Sequence, residues 1–334
     1  MEVQFFSRKK NPAFFSIEEL FGVIQQNLIP CPAFQNHIMP YESTGIKKRW
    51  LNGLFAKKHA GEINHITGDI HYLALFLPRR NTILTIHDCG ELDKQKGIKK
   101  FILWLFWFYL PVKRLRYITV ISEATRTHLL QYVKTNPNKI SVIPNCLIGN
   151  YSISCRPFNT NKPAILHVGI TPNKNIERVA AALEGISCTL TIIGKPSTAQ
   201  IGVLNHYKIE FRYKSALSRQ EVIAEYAACD MLVFASLLEG FGLPIIEAQA
   251  SGRPVVTSNI LPMSSTAGKG ASLVNPYSVP DIRQGILKVI QDKAYRQHIV
   301  DAGLENCKRF DPGRIAEQYR ELYKKIMTDN NSSG

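Results

Sequence analysis

Residues 230–259 read DMLVFASLLEGFGLPIIEAQASGRPVVTSN. The stretch opens on a short β-branched run through Phe234 and breaks at a loop holding Glu239, Gly240 and Gly242. It resumes with Pro244 leading a helical segment to Ser251, turns at Gly252, and ends in a second β-branched run over 253–259. The first run, like several others along the chain, is apolar almost throughout, where a half-exposed strand would alternate, and that is how parallel strands covered on both faces read. Proline at the start of the intervening segment and glycine just past its end are helix start and stop signals. The unit is strand, loop, helix, strand, with the strands parallel.

The same pattern recurs along the chain. NTILTIHD (81–88), RYITVIS (116–122), KISVIPN (139–145), PAILHVGI (163–170) and CTLTIIG (188–194) are further short runs bounded by turn signals and separated by helical segments. Ser16 with Glu19 and Ser218 with Glu221 have the spacing of capping boxes. Repeated βα units predict two doubly wound parallel sheets. Within 334 residues, two domains each have room for their own core. The polar segment LIGNYSISCRPFNTNK (147–162) separates a first domain, 1–150, from a second, 160–311. A helical period over 311–326 suits a terminal helix, and the polar tail Asp329 to Gly334 is expected to be disordered.

Formal net charge is +15, unevenly spread: residues 1–150 hold 20 Lys and Arg against 10 Asp and Glu, the remainder 21 against 16. An anionic membrane, a phosphorylated substrate or nucleic acid would each suit such a surface, as would plain solvation. No helix-turn-helix or aromatic-basic RNA motif accompanies the charge, so nucleic acid is not an expected partner. Seven cysteines without a CxxC pair argue against a disulfide framework and a structural zinc site. Arg8, Lys9 and Lys10 are followed by a mixed segment, which does not read as a signal peptide, and a cytoplasmic protein is expected.

Residues 97–116, GIKKFILWLFWFYLPVKRLR, carry an apolar run from Phe101 to Val112, twelve residues long. A spanning helix needs roughly twenty. The basic flanks, Lys94, Lys96, Lys99, Lys100, Lys113, Arg114 and Arg116, have no acid between Asp93 and Glu123. The run lies where a crossover helix must connect two strands, yet it is apolar nearly all round. Two readings stand: a wholly packed core helix, or a packed helix with one face at an anionic membrane surface through 99–116.

Loops at the carboxyl ends of parallel strands are where ligands bind. The glycines at 240 and 242 allow close backbone approach, and the following helix N-terminus favours an anion. Glu247 lies about one turn inside that helix, where a carboxylate can accept two hydrogen bonds from a ribose diol, and Glu239 at the loop tip can meet a sugar hydroxyl. Solvated charges beside a glycine turn are the plainer alternative.

Glu239 and Glu247, with seven residues between them in the string EGFGLPIIEA, resemble the signature of the retaining nucleotide-sugar glycosyltransferases of family 4, whose GT-B fold has two Rossmann-like domains facing a cleft. HVGITPNKNIERVAAAL (167–183), LSRQEVIAEYAACDMLVFAS (217–236), TVISEAT (119–125) and VIPN (142–145) are similar to further motifs of that family. The resemblance implies an α/β chain binding a nucleoside diphosphate sugar as co-substrate, with no cofactor and no metal, and a glycan or lipid-linked acceptor on the first domain. It implies a helix over 312–327 returning to complete that domain. It implies that Lys174 neutralises the donor diphosphate beside Gly169 and Asn173, that Glu247 holds the ribose and Glu239 the sugar, and that Gly240, Phe241, Gly242 and Leu243 offer backbone donors. His87, in the strand-end TIHDC, matches the family's histidine facing the donor sugar, with Asp88 a weaker candidate.

The sequence departs from that pattern twice. Ile170 and Asn173 stand where the family often adds an arginine, so Lys195 or the Arg8–Lys10 cluster would have to compensate. The first strand, VQFFSRKK, runs on without the usual glycine loop. His65, Asp69 and His71 in NHITGDIHYL (64–73) have a ligand-like spacing but read better as a loop and strand. A GT-B epimerase or phosphorylase, or a non-catalytic basic membrane- or nucleic-acid-binding protein, are the rival readings.

Overall fold

The computed structural model describes residues 1–9, 16–30, 32–153 and 156–331, with the backbone alone at Ser16 and Asn331. The capping side chain expected at Ser16, together with Lys10, Cys31, Cys155 and the last three residues, lies outside the described residues. The chain divides into two compact units, Met1–Ile148 with Asp311–Gly334, and Gly149–Phe310.

The first unit is built on six parallel strands, β1 (Glu2–Ser7), β2 (Ala33–Ile38), β3 (Ile63–Ile66), β4 (Thr82–Ile86), β5 (Tyr117–Val120) and β6 (Ile140–Val142). Their order is β2-β1-β3-β4-β5-β6, so the chain reverses direction across the sheet between β1 and β3. Strand β4, TILTI, is buried at every position, as its unbroken apolar pattern requires. Helices α1 (Ser16–Leu28) and α2 (Gly45–Lys58) belong to this unit. The terminal helix Pro312–Asn331 packs on α1. Tyr319 and Tyr323 of that helix are buried, and Tyr323 Oη meets His65 Nδ1 at 2.8 Å under the sheet. The helix continues past the expected start of the polar tail: Asp329 accepts a hydrogen bond from Tyr117 Oη at 2.6 Å, which anchors a turn that composition alone leaves loose.

The second unit carries β7 (Ala164–Val168), β8 (Thr189–Ile193), β9 (Phe211–Lys214), β10 (Met231–Phe234), β11 (Val255–Ser258) and β12 (Ser272–Val274), all parallel, in the order β12-β11-β10-β7-β8-β9. The chain winds outward from β7 to β9, returns to β10 and winds the other way. The reversal falls between β7 and β10. The β10 side chains Leu232 and Phe234 join one apolar cluster, Met231 and Val233 another, so the strand is covered on both faces. Full burial of such a side chain stabilises the fold by about 1.5–3 kcal/mol.

Strands β2, β9 and β12 were not legible as strands, and all three are sheet edges. AFQNHI and FRYK carry polar residues because an edge faces solvent, and SLV has only three residues.

Helix 97–114 runs as Gly97–Leu103, a π-helical stretch Trp104–Tyr109 and Leu110–Arg114. Trp107, Phe108, Pro111 and Val112 are buried, whereas Ile98, Phe101, Ile102 and Phe106 are exposed. The helix is therefore packed on one side and open on the other within its unit. Arg114 is committed inward, its guanidinium donating to the Ala74 and Leu77 carbonyls at 2.9 Å each. No helix among the described residues is long and apolar enough to cross a membrane.

Candidate active site

The reversal between β7 and β10 places two loops side by side at the carboxyl ends of those strands, and the sequence candidates of the second unit lie on them. After β7 the chain turns at Gly169, whose φ is +92°, and enters a helical turn at Pro172–Lys174. A Cβ at Gly169 would come within 2.8 Å of Lys174 Cε, so the missing side chain is what lets the lysine stem pass. Lys174 Nζ donates to Glu239 Oε1 at 2.7 Å and sits 4.7 Å from the centre of the Phe234 ring at the end of β10. Both partners of the pair are mostly covered, with side-chain exposures of 17% and 13%. The ammonium is held by a carboxylate, a ring face and a passage cut by glycine.

The two loops are also joined through their backbones. Leu237 N–H donates to the Asn173 carbonyl at 2.8 Å, and Asn173 Nδ2 donates to the Leu238 carbonyl at 2.8 Å. Asn175 takes a left-handed conformation, φ 63°, before helix Ile176–Leu183. Its buried amide donates to the Ala235 and Pro276 carbonyls at 2.9 and 2.7 Å, while Arg178 donates to its oxygen. Asparagine tolerates this conformation better than most residues, and its three bonds over-determine it.

Beyond Glu239, Gly242 with φ +98° caps helix Leu243–Ala250, which carries Pro244 in its first turn. Phe241 packs inward against Phe310, ring centres 5.4 Å apart, and its carbonyl accepts from Thr266 Oγ1. The ring anchors the loop while the glycines on either side shape it.

Glu247 has its own partners, apart from the Lys174–Glu239 pair. It is buried, with Oε1 accepting from Arg219 Nη1 at 2.9 Å and Oε2 from Tyr226 Oη at 2.7 Å. Both donors come from helix Arg219–Ala228, whose Ser218–Glu221 capping box is formed. Burial, reinforced by Glu247, raises the Tyr226 phenol well above its ordinary range, so it stays a donor. Arg219 and Tyr226 were not singled out in the sequence, because a helix facing a neighbouring helix leaves no spacing signature. Lys195 is exposed just after β8, with no neighbouring arginine at Ile170 or Asn173.

In the first unit, His87 follows β4. Its Nε2 meets the Thr67 carbonyl at 2.9 Å and therefore carries the proton, leaving Nδ1 as an acceptor. Burial lowers its pKa, which keeps the ring neutral. His87 and Asp88 line a cavity of about 640 Å³ with Asp69, His71, Arg8 and Trp107. This cavity lies at the carboxyl ends of β1, β3 and β4, where that sheet reverses. His65, by contrast, turns into the core against Tyr323 and Thr85, and burial lowers its pKa to about 3. The 65, 69 and 71 triplet thus does not converge, and among the described residues no cluster of three candidate ligands exists. Arg8 is paired with Glu18 at 2.8 Å.

Two doubly wound parallel sheets, each with its polar candidates at the reversal point, define the GT-B class of two-domain α/β proteins. Solved structures agree: sucrose-phosphate synthase from Thermosynechococcus elongatus superposes with TM-score 0.80 at 16% identity, over 98% of this chain and 99% of that one. WaaG, a glycosyltransferase involved in lipopolysaccharide biosynthesis, gives 0.70 at 14% identity, over 96% and 99%. Residues 24–147 match the family described as Glycosyltransferase Family 4, and residues 155–305 match Glycosyl transferases group 1. The chain belongs to the family 4 glycosyltransferases. O-antigen chain mannosyltransferase B of Escherichia coli is 34% identical over 113 residues, 34% of this chain and 30% of that protein. O-antigen chain mannosyltransferase RfbU of Salmonella typhimurium is 28% identical over 208 residues, 59% of this chain and 57% of that protein. The chain thus spans less than two thirds of the length of these curated relatives.

Proposed function

We propose that this chain moves a sugar, with retention of its anomeric configuration, from a nucleoside diphosphate sugar to a glycan or lipid-linked acceptor during assembly of a surface polysaccharide. The observation that carries the reading is Lys174, fixed at the β7–β10 reversal by Glu239 and Phe234. A diphosphate arriving there replaces Glu239 as the lysine's partner and frees the carboxylate to accept hydrogen bonds from the sugar. The N-terminus of helix Leu243–Ala250 adds partial positive charge, and in this reading backbone N–H groups of the Gly240–Leu243 loop donate to the phosphate or sugar. Glu247 accepts from Arg219 and Tyr226, and in this reading a ribose diol takes up further acceptor positions of its carboxylate, which offers about four.

In this reading the leaving diphosphate is stabilised by Lys174 and the helix N-terminus, and the acceptor attacks from the face it leaves. His87, neutral and with Nδ1 available, is the first unit's catalytic candidate in this reading. The donor is a hexosyl nucleotide. The mannosyltransferase names of the O-antigen relatives support a mannosyl group, and the Anabaena HepE structure in complex with UDP and glucose shows a like fold with nucleotide bound. The enzyme works in the cytoplasm and reaches an anionic membrane surface peripherally through 99–116. Neither a metal ion nor another cofactor is part of the reading.

A thermal-shift screen against UDP, GDP, TDP, ADP and their hexoses tests it. Ligand at a hundred times its Kd adds about 2.7 kcal/mol, which raises Tm by roughly 5–10 °C for a unit of this size. One nucleotide should give that shift, and Glu247→Gln, which keeps a partner for Tyr226, should lose it. No shift with any nucleotide sugar would overturn the reading.

A further inference from the structure

The cavity containing His87 opens between two helices, and both leave large apolar side chains in solvent. On α2, Ile46, Trp50 and Leu54 recur at every fourth position with exposures of 86%, 57% and 45%. On helix 97–114, Ile98, Phe101, Ile102 and Phe106 are exposed by 69%, 52%, 44% and 39%. Surface apolar residues scattered singly are ordinary, whereas two ordered stripes beside one cavity are not.

The two helices form one braced surface. The Arg49 guanidinium of α2 lies 4.5 Å from the centre of the Trp107 ring on helix 97–114. The turn His71–Leu75 grips both: His71 Nδ1 meets the Trp107 carbonyl at 2.8 Å, and Asn52 of α2 donates to Tyr72 Oη at 3.1 Å. Arg114 ties the far end of the helix to the same turn through Ala74. Ile102 and Lys99 line the cavity while remaining exposed, so the apolar stripe runs into its mouth.

The charge identifies the occupant. Helix α2 carries Lys47, Lys48, Arg49, Lys57 and Lys58, with no acid between Glu42 and Glu62, and the flanks of helix 97–114 likewise hold only cations. Apolar tips set among lysines on helices too short to span match an interfacial contact with anionic lipid, where tryptophan is also at home.

We propose that α2 and helix 97–114 are two prongs of one docking surface for an anionic lipid bilayer, holding the mouth of the His87 cavity against the membrane so that a lipid-linked acceptor enters directly from it. This deepens the peripheral-membrane part of the function proposed above and adds α2, which the sequence did not mark.

Vesicle sedimentation tests it, using phosphatidylcholine alone and with 30% phosphatidylglycerol. The variants are Ile46→Ser/Trp50→Ser/Leu54→Ser, Lys47→Gln/Lys48→Gln/Lys57→Gln/Lys58→Gln, and Lys99→Gln/Lys100→Gln/Lys113→Gln, which spares the structural Arg114. Each lysine near an anionic surface contributes about fivefold in partitioning, so the three-lysine set should weaken binding to anionic vesicles by roughly a hundredfold and the four-lysine set by roughly five hundredfold, with little binding to phosphatidylcholine. The apolar set should weaken it at least tenfold. All the altered side chains are exposed or at the rim, and the nucleotide thermal shift should persist in every variant, which separates membrane docking from donor binding. Wild-type vesicle binding by both α2 variants would overturn the second prong. Lipid-free self-association abolished by the apolar substitutions would overturn the bilayer as occupant in favour of a second copy of the chain.

Discussion

Replacing Lys174 by alanine removes the cation fixed on Glu239 at the β7–β10 reversal, and the consequence can be worked from its surroundings. A unit charge about 4 Å from a phosphate at an effective dielectric near 20 contributes about 4 kcal/mol. The lysine is 17% exposed and the helix N-terminus remains in the variant, so about two thirds of that is lost. The result is roughly a hundredfold in turnover. Because charge builds on the diphosphate as the sugar departs, the loss should fall on kcat more than on KM. The substitution also leaves the Glu239 carboxylate, 13% exposed, without its cation, at a cost of about 1–2 kcal/mol. Lys174→Met with Glu239→Gln restores a neutral pair and separates stability from chemistry. The assay is release of nucleoside diphosphate, with the nucleotide sugar found in the thermal screen and a membrane lipid extract as acceptor. Turnover within threefold of wild type in folded Lys174→Ala would refute the role of this lysine.

Two further outcomes follow from the same structure. Gly169→Ala puts a Cβ 2.8 Å from Lys174 Cε at a φ of +92°, so it should cost about 1–2 kcal/mol in stability and lower turnover at least tenfold by displacing the lysine; unchanged kinetics would show that the passage is not needed. Stability should fall on acidification, because burial lowers His65 in the first unit to about 3 and His167 in the second to about 4, against an ordinary 6.5. The unfolded chain binds the extra protons between those values, so the stabilisation is intact above 6.5 and is lost as pH drops toward the folded values. Between pH 6.5 and 5 each histidine should cost about 2 kcal/mol, and denaturation midpoints equal at pH 7.5 and 5.0 would contradict it.

The site was legible wherever a residue's role is written into its local chain. Glu239, Gly242 and Pro244 belong to one loop and helix start, and Gly169 and Lys174 to one strand end, so spacing along the sequence carried their geometry. The partners of Glu247 were not legible, since Arg219 and Tyr226 come from another helix and meet it only through packing. His65 shows the opposite failure. Its spacing to Asp69 and His71 suggested ligands, but β3 turns its ring into the core while His71 follows on the next turn, so neighbours in sequence separate in space.

What the sequence determined by itself was the alternation of apolar strands and capped helices, because backbone period and burial on two faces act locally and leave unbroken β-branched runs. It also determined the anion-favouring loops, because glycine and helix termini have their properties wherever they stand. Only the tertiary structure decided which strands meet at each reversal, placing Lys174 on Glu239 across 65 residues of chain. It alone decided that the polar edge strands β2 and β9 pair at all, and which side of helix 97–114 is left open beside α2. Those outcomes depend on contacts between distant segments, whose energies come from mutual burial and so have no trace in the period of either segment alone.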